Sequence, residues 1–139
     1  MLYIPDTDHI SLLQQRNVVI WARMRQVAAE DRAITVISAA EQIQGRMAVI
    51  SQAKQEVDAS RAFERLTETI RFYQTVQIPP YDVAAAALFD HLRRSKVRIG
   101  RQDLRIAAIT LSLNATLVTR NRRDFIQVPG LPIVDWSAV

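Results

Sequence analysis

The sequence predicts an α/β protein, a three-layer sandwich with a mostly parallel central sheet. Short β-branched or apolar runs alternate with helical periodicities along all 139 residues, the order expected when helices form the crossovers between parallel strands. Only 3 glycines and 5 prolines punctuate the chain, with no low-complexity tract, repeat or linker, so 1–139 reads as a single domain. Its apolar content, 49%, is enough for one core at this length.

Leu2-Tyr3-Ile4 is a short apolar strand that stops at Pro5-Asp6, and Ile10, Leu12 and Leu13 mark a short helix after it. Val18, Trp21, Met24 and Val27 recur every three residues, one face of a second helix ending near Glu30-Asp31. Ala33 to Ile37 is β-branched and apolar, the composition of a buried strand. Ser38 with Glu41 three positions on is a capping-box pattern, predicting a helix over about 38–50. Val57, Phe63, Leu66, Ile70 and Tyr73 then form the stripe of a long amphipathic helix over 53–75. Val76-Gln77-Ile78 has room only for a short strand before Pro79-Pro80. From Tyr81 the alanine-rich stretch is helical until Gly100, and a further helix runs from about Arg101 to Leu113. Ala115 to Val118 is the next strand, Thr119 to Phe125 a loop, and Leu131 to Val134 a last short strand.

Composition narrows the chemistry. The absence of cysteine excludes disulfides, iron-sulfur clusters, thiol nucleophiles and cysteine-containing zinc sites, and His9 and His91 alone are too few for an all-histidine zinc centre. A bound metal must therefore be held mainly by oxygen. No segment approaches the roughly 18 consecutive apolar residues of a membrane span, and Asp6 and Asp8 interrupt the N-terminus before a signal-peptide core can form, so the chain reads as cytoplasmic.

In open α/β sheets ligands gather beyond the carboxyl ends of the strands. Asp6 follows the first strand, Glu41 opens the helix after the second, and Asp124 lies in the loop after 115–118. Asp103 begins the helix that runs back to deliver the chain to that same strand, so it belongs at the same edge. Taken singly, each acid has a structural reading as a helix cap, dipole complement or turn former. Crowded together they repel, an arrangement that suits a cation between them. Oxygen ligands without sulfur or clustered histidine favour Mg²⁺ or Mn²⁺, and such an acidic centre suits phosphodiester hydrolysis. Asn121 is a candidate outer partner or turn former, Asp8 an accessory ligand or helix cap, and His9 a structural residue.

The net charge of +4 is unevenly spread. Arg93, Arg94, Lys96, Arg98, Arg101, Arg105, Arg120, Arg122 and Arg123 place 9 of the 18 basic residues within 93–123, offset only by Asp103 within it and Asp124 just after it. Such a band serves either as a solvated face or as a grip on a polyanionic backbone. Of these, Arg98, Arg101, Arg105, Arg120, Arg122 and Arg123 are the candidate contacts to such a backbone.

The stretches YIPDTDHI from Tyr3, ITVISAAE from Ile34, IGRQDLRIAA from Ile99 and TRNRRDF from Thr119 resemble the PIN-domain ribonucleases, and more narrowly the VapC toxins of bacterial type II toxin-antitoxin modules. The resemblance spans nearly the whole chain in order, to the closing Val128-Pro129-Gly130-Leu131 and Asp135-Trp136. It implies a PIN-like fold and a Mg²⁺- or Mn²⁺-dependent RNA endonuclease with Asp6, Glu41, Asp103 and Asp124 as the acidic centre and Asn121 as a polar residue of the same loop. It further implies a homodimer and a VapB-like antitoxin that wraps the toxin and can push a basic side chain into the acidic site. Trp21, Met24 and Phe63 are candidates either for lining an apolar antitoxin groove between the early helices and the 53–75 helix or, as residues at helical spacing, for the core. Two positions depart from the pattern: Pro5, which predicts an early end to the first strand and a displaced Asp6, and Arg105, which stands where an apolar residue is common and either contacts RNA or faces solvent. The competing reading is a catalytically weak PIN-like protein that binds RNA or a partner and acts by occupancy. A phospho-acceptor signalling domain is disfavoured, because the only lysines, Lys54 and Lys96, fall in helical stretches and no acid separates Ile78 from Pro79.

Overall fold

A computed structural model describes residues 1–138. Its strands are β1 (Tyr3–Pro5), β2 (Thr116–Val118) and β3 (Ile133–Val134), and its helices are α1 (Thr7–Gln14), α2 (Val18–Arg25), α3 (Val36–Gln52), α4 (Glu56–Tyr73), α5 (Val83–Arg94), α6 (Arg101–Ser112) and α7 (Arg122–Phe125), with a 3₁₀ turn at Ala29–Asp31. The strands pair in parallel in the order β1-β2-β3, Ile4 opposite Leu117 and Leu117 opposite Ile133.

Because side chains alternate across a strand, this register sorts the sheet into two apolar faces. Ile4, Leu117 and Ile133 pack with Phe89, Leu92, Ile106 and Ile109 of α5 and α6. On the other face Tyr3, Val118 and Val134 meet Leu13 of α1, Ile20 and Met24 of α2, and Trp136. Helices on both sides of a parallel sheet make the three expected layers.

Four local expectations are corrected. The strand expected over 33–37 is reduced to isolated bridges, Tyr3 to Arg32 and Ala33 to Gln77, which also replace the strand expected at 76–78. The cause is Thr35, whose side chain accepts the Ser38 amide at 3.2 Å and caps α3. A β-branched residue that also carries a capping hydroxyl started a helix where propensity alone predicts a strand. With Thr35 as the cap, the Ser38–Glu41 capping box does not form, and Glu41 moves to the second turn of α3. The apolar stripe of α4 is buried only at its end: Tyr73 is buried and Leu66 half-buried, whereas Val57, Phe63 and Ile70 are exposed and the non-stripe residues Ala62 and Thr69 are buried.

Pro5 does not end β1 early. Leu2 and Asp6 bond to β2, through Thr116 N to Leu2 O at 2.8 Å and Asp6 N to Val118 O at 2.9 Å, whereas Tyr3 O faces the other way and accepts from Ala33 N. By alternation the ring nitrogen of Pro5 points away from β2, where no ladder bond is lost, and Asp6 stays in register.

Candidate active site and metal centre

Each acid of the predicted set is set in place by its own element. Asp6 is buried and caps α1, its Oδ1 accepting the His9 amide at 2.8 Å. Its Oδ2 accepts the hydroxyl of Thr119 at 2.6 Å. Glu41 of α3 accepts the Thr7 hydroxyl at 2.9 Å, and Thr7 also meets the Ser38 hydroxyl at 2.8 Å, so α1 and α3 are tied together at the carboxyl edge of the sheet. Asp103 stands in the first turn of α6. Asp124 lies in α7, a short helix where a loop was expected, and Asn121 caps it: Asn121 Nδ2 donates to Asp124 Oδ2 at 3.0 Å, and Asn121 Oδ1 accepts the Asp124 amide.

Asp6, Thr7, Asp8, Glu41, Asp103 and Asn121, with Arg120, line an open cleft of about 570 Å³. The electrostatic record of convergence is on Asp103, whose carboxyl is pushed up to about 6, first by burial and then by the charges of Asp6, Glu41 and Asp124. Asp6, Glu41 and Asp124 therefore all act on Asp103, and a cation beside it would relieve that repulsion. The donor set fits a hard divalent ion.

Asp8 has a different role from the other acids. It receives Arg120 through both oxygens, from Nε at 2.6 Å and Nη2 at 3.3 Å, at the exposed lip of the cleft. Asp6, Asp8 and His9 also bring potential ligand atoms within 4.8 Å of one another. A triad there would require Asp8 to release Arg120. The imidazole of His9 is wholly buried between Asp6 and Asp135, with Nδ1 3.4 Å from Asp6 Oδ1 and Nε2 3.4 Å from Asp135 Oδ1. Asp135 is itself held below the usual carboxylate range: its slight burial acts in the opposite direction and is outweighed by hydrogen bonds from Ser137, with His9 adding to the effect.

The basic band divides on folding. Arg120 lines the acidic cleft, Arg122 and Arg123 are exposed on α7, and Arg98 and Arg101 line a separate cavity beside α5. Arg105 neither projects into solvent nor reaches the cleft: its guanidinium carbon lies 5.8 Å from the Tyr81 ring centre and 5.5 Å from that of Phe89, and Nη1 donates to Gln102 at 2.8 Å. Thr119 was not singled out from the sequence, yet it is fully buried, holds Asp6 Oδ2 and accepts the Asn121 amide at 2.9 Å, joining two parts of the site. Its only signal in the sequence is a hydroxyl directly after a strand. Trp21 and Met24 line an apolar cavity of about 250 Å³ with Leu13 and Phe72, whereas Phe63 lies elsewhere on α4.

No family model matches the chain. It is 34% identical over 141 residues to Ribonuclease VapC1 of Haemophilus influenzae (strain R2866), covering 99% of each chain, and 33% identical over 103 residues to the tRNA(fMet)-specific endonuclease VapC of Shigella flexneri, covering 68% of this chain and 78% of that one. Among solved structures it superposes on VapBC-1 from nontypeable Haemophilus influenzae with a TM-score of 0.78 at 26% identity, over 99% of this chain and 100% of that chain. It superposes on the DNA-bound VapBC from Salmonella typhimurium with a TM-score of 0.77 at 25% identity, over 98% and 99% of the two chains.

Proposed function

The chain belongs to the VapC ribonucleases, and from that premise we propose that it is a toxin endoribonuclease that hydrolyses RNA phosphodiesters at the centre formed by Asp6, Glu41, Asp103 and Asp124 with bound Mg²⁺ or Mn²⁺. The observation that supports the site assignment is the single cleft that Asp6, Glu41 and Asp103 line together with Asn121, the residue that holds Asp124.

Each residue has a task that follows from its contacts. Asp6 is fixed by two donors, the His9 amide and the Thr119 hydroxyl, so its remaining lone pairs are aimed before any ligand arrives. Thr7 orients Glu41 from the opposite wall, and Asn121 orients Asp124. Asp103, its carboxyl raised to about 6 by burial and by the neighbouring acids, would have to be ionised to hold the ion. A bound divalent ion supplies an acidified water and charge neutralisation for the phosphoryl oxygens. Arg120, steered by Asp8, is the cation of the cleft lip available to an RNA phosphate. Asp8 thus serves as an accessory group through Arg120.

The partner reading follows the same line. Solved relatives are complexes named VapBC, and the apolar cavity lined by Trp21 and Met24 fits an apolar segment of a VapB-like antitoxin. Among the described residues no helix is long and apolar enough to cross a membrane. A single-domain, cytoplasmic homodimer completes the proposal, and light scattering of the purified chain tests its self-association.

The deciding experiment incubates purified, antitoxin-free protein with total tRNA, ribosomal RNA and a model mRNA in Mg²⁺, Mn²⁺ or chelator, beside Asp6→Asn and Asp103→Asn. Discrete metal-dependent products absent from both folded variants are expected. RNA binding that survives chelation, with no product in any metal, would replace cleavage by the occupancy reading.

A further inference from the structure

A second cavity, of about 320 Å³, lies between the end of α5 and the start of α6. Its charged walls are Arg93, Lys96, Arg98 and Arg101, and its floor includes Phe89 and Leu104. Residues 93–101 hold five cations and no acid. Among the described residues none of the four lining cations forms a salt bridge, and all four are exposed.

Helix stability does not account for them. Arg93 in the last turn of α5 complements that helix's dipole, but Lys96 and Arg98 lie beyond the helix. Arg101 is the first residue of α6, the end where the dipole disfavours a cation. Lys96 also sits in the left-handed region at φ 63, a conformation that Asn or Gly adopts more readily, so a lysine there is not the choice that turn geometry favours. Four mutually repelling cations around one hollow mirror the acids of the cleft and call for an anion.

The position of the hollow specifies which anion. Arg101 and Asp103 are two residues apart on α6, about 200° around the helix and about 3 Å along it. Arg101 lines the basic hollow and Asp103 the acidic cleft. Nothing lies within 4 Å of where a side chain on Gly100 would begin, leaving the way past this turn open. Resting on the ribonuclease reading, we propose that Arg93, Lys96, Arg98 and Arg101 form a phosphate anchor for the RNA backbone flanking the cut, separate from the cleavage centre. Arg93 and Arg105 already lie against Phe89, so the hollow grips the backbone rather than stacking a base.

The test is fluorescence anisotropy of a labelled single-stranded RNA 20-mer across a salt series, in chelator so that no cleavage occurs. One variant combines Arg93→Gln, Lys96→Asn and Arg98→Gln, with asparagine chosen because it tolerates the left-handed backbone. A second removes equal charge from α4 and the loop before it through Lys54→Ala, Arg61→Ala and Arg71→Ala, and Arg98→Gln alone serves as the mildest change. The anchor predicts that the first variant weakens binding by about 10-fold and lowers the log–log salt slope by about 2, roughly 0.7 per lost contact, with the α4 variant near wild type. Equal losses in both triple variants, or an unchanged slope in the first, overturn it. Cleavage of a short RNA by the wild type in Mn²⁺ judges the nuclease reading separately: products there with an unmoved slope remove the anchor and leave the nuclease standing.

Discussion

One turn of α6 separates two charged hollows built on opposite plans. On one side the acids are held by the fold: Asp6 is buried with both oxygens engaged, Glu41 and Asp124 each have a donor, and Asp103 feels the other three. On the other side the cations stand in water, without ion-pair partners among the described residues. Desolvated charges interact strongly and depend on exact placement, whereas exposed charges add up gradually and are screened by salt. The acidic cleft should therefore respond to single substitutions as a unit, and the basic hollow should respond to the number of charges removed.

The sharpest break of this contrast is Asp103→Asn or Asp6→Asn. Either should lower cleavage of a short RNA by roughly 10²–10³-fold or more, measured under single turnover, while the salt slope of RNA binding stays put. An equal effect on the slope would mean that the two hollows are one site. A smaller effect is expected one bond further out: Thr119→Val keeps shape but removes the donor to Asp6 Oδ2, and Mn²⁺ affinity by calorimetry should fall by about 10–100-fold. Unaltered affinity would show that the hydroxyl does not set the carboxylate. Asp8→Asn should leave Mn²⁺ affinity within about 3-fold of the parent, since its carboxylate serves Arg120, and its effect on cleavage should be non-additive with Arg120→Ala in a double-mutant cycle. Loss of affinity comparable to Asp6→Asn would instead make Asp8 a ligand.

The mildest prediction concerns pH. A carboxyl whose pKa rises from 3.8 to about 6 on folding binds its proton more tightly in the folded chain, so Asp103 costs stability progressively as pH rises through that window, and the cost persists above it. In chelator, Asp103→Asn should melt a few degrees above the parent at pH 7–8 and converge with it below about pH 4. Added Mn²⁺ should reverse the order at pH 7, because only the parent keeps the full acidic set. A parent that melts higher in chelator at pH 8 contradicts the crowding of the four acids.

Much of this was legible in the sequence because it depends on chain order. The order of elements predicts Asp6, Asp103 and Asp124 at one edge, α6 running back to deliver the chain to β2, whereas Glu41 reaches the cleft from a helix that no full strand precedes. What the sequence did not show depends on competition between local signals. Thr35 is both a strand former and a cap, and its hydroxyl decided for the helix. Asn121 turned a predicted loop into the short helix α7. Thr119 and the Asp8–Arg120 pair join residues more than 100 positions apart, which periodicity cannot register. Val57, Phe63 and Ile70 of the α4 stripe stay exposed while Tyr73 is buried, because hydrophobic spacing marks a face without saying what covers it.

Pro5 has a consequence for the interior. Its nitrogen faces the side of β1 where Tyr3 O accepts the Ala33 amide, and Pro5 is buried there beside Ala33, Ile34 and Thr35. Any other residue would bring to that place an amide hydrogen needing a partner away from water, and proline brings none. The same residue that leaves Asp6 in register thus also spares the protein a buried donor to satisfy.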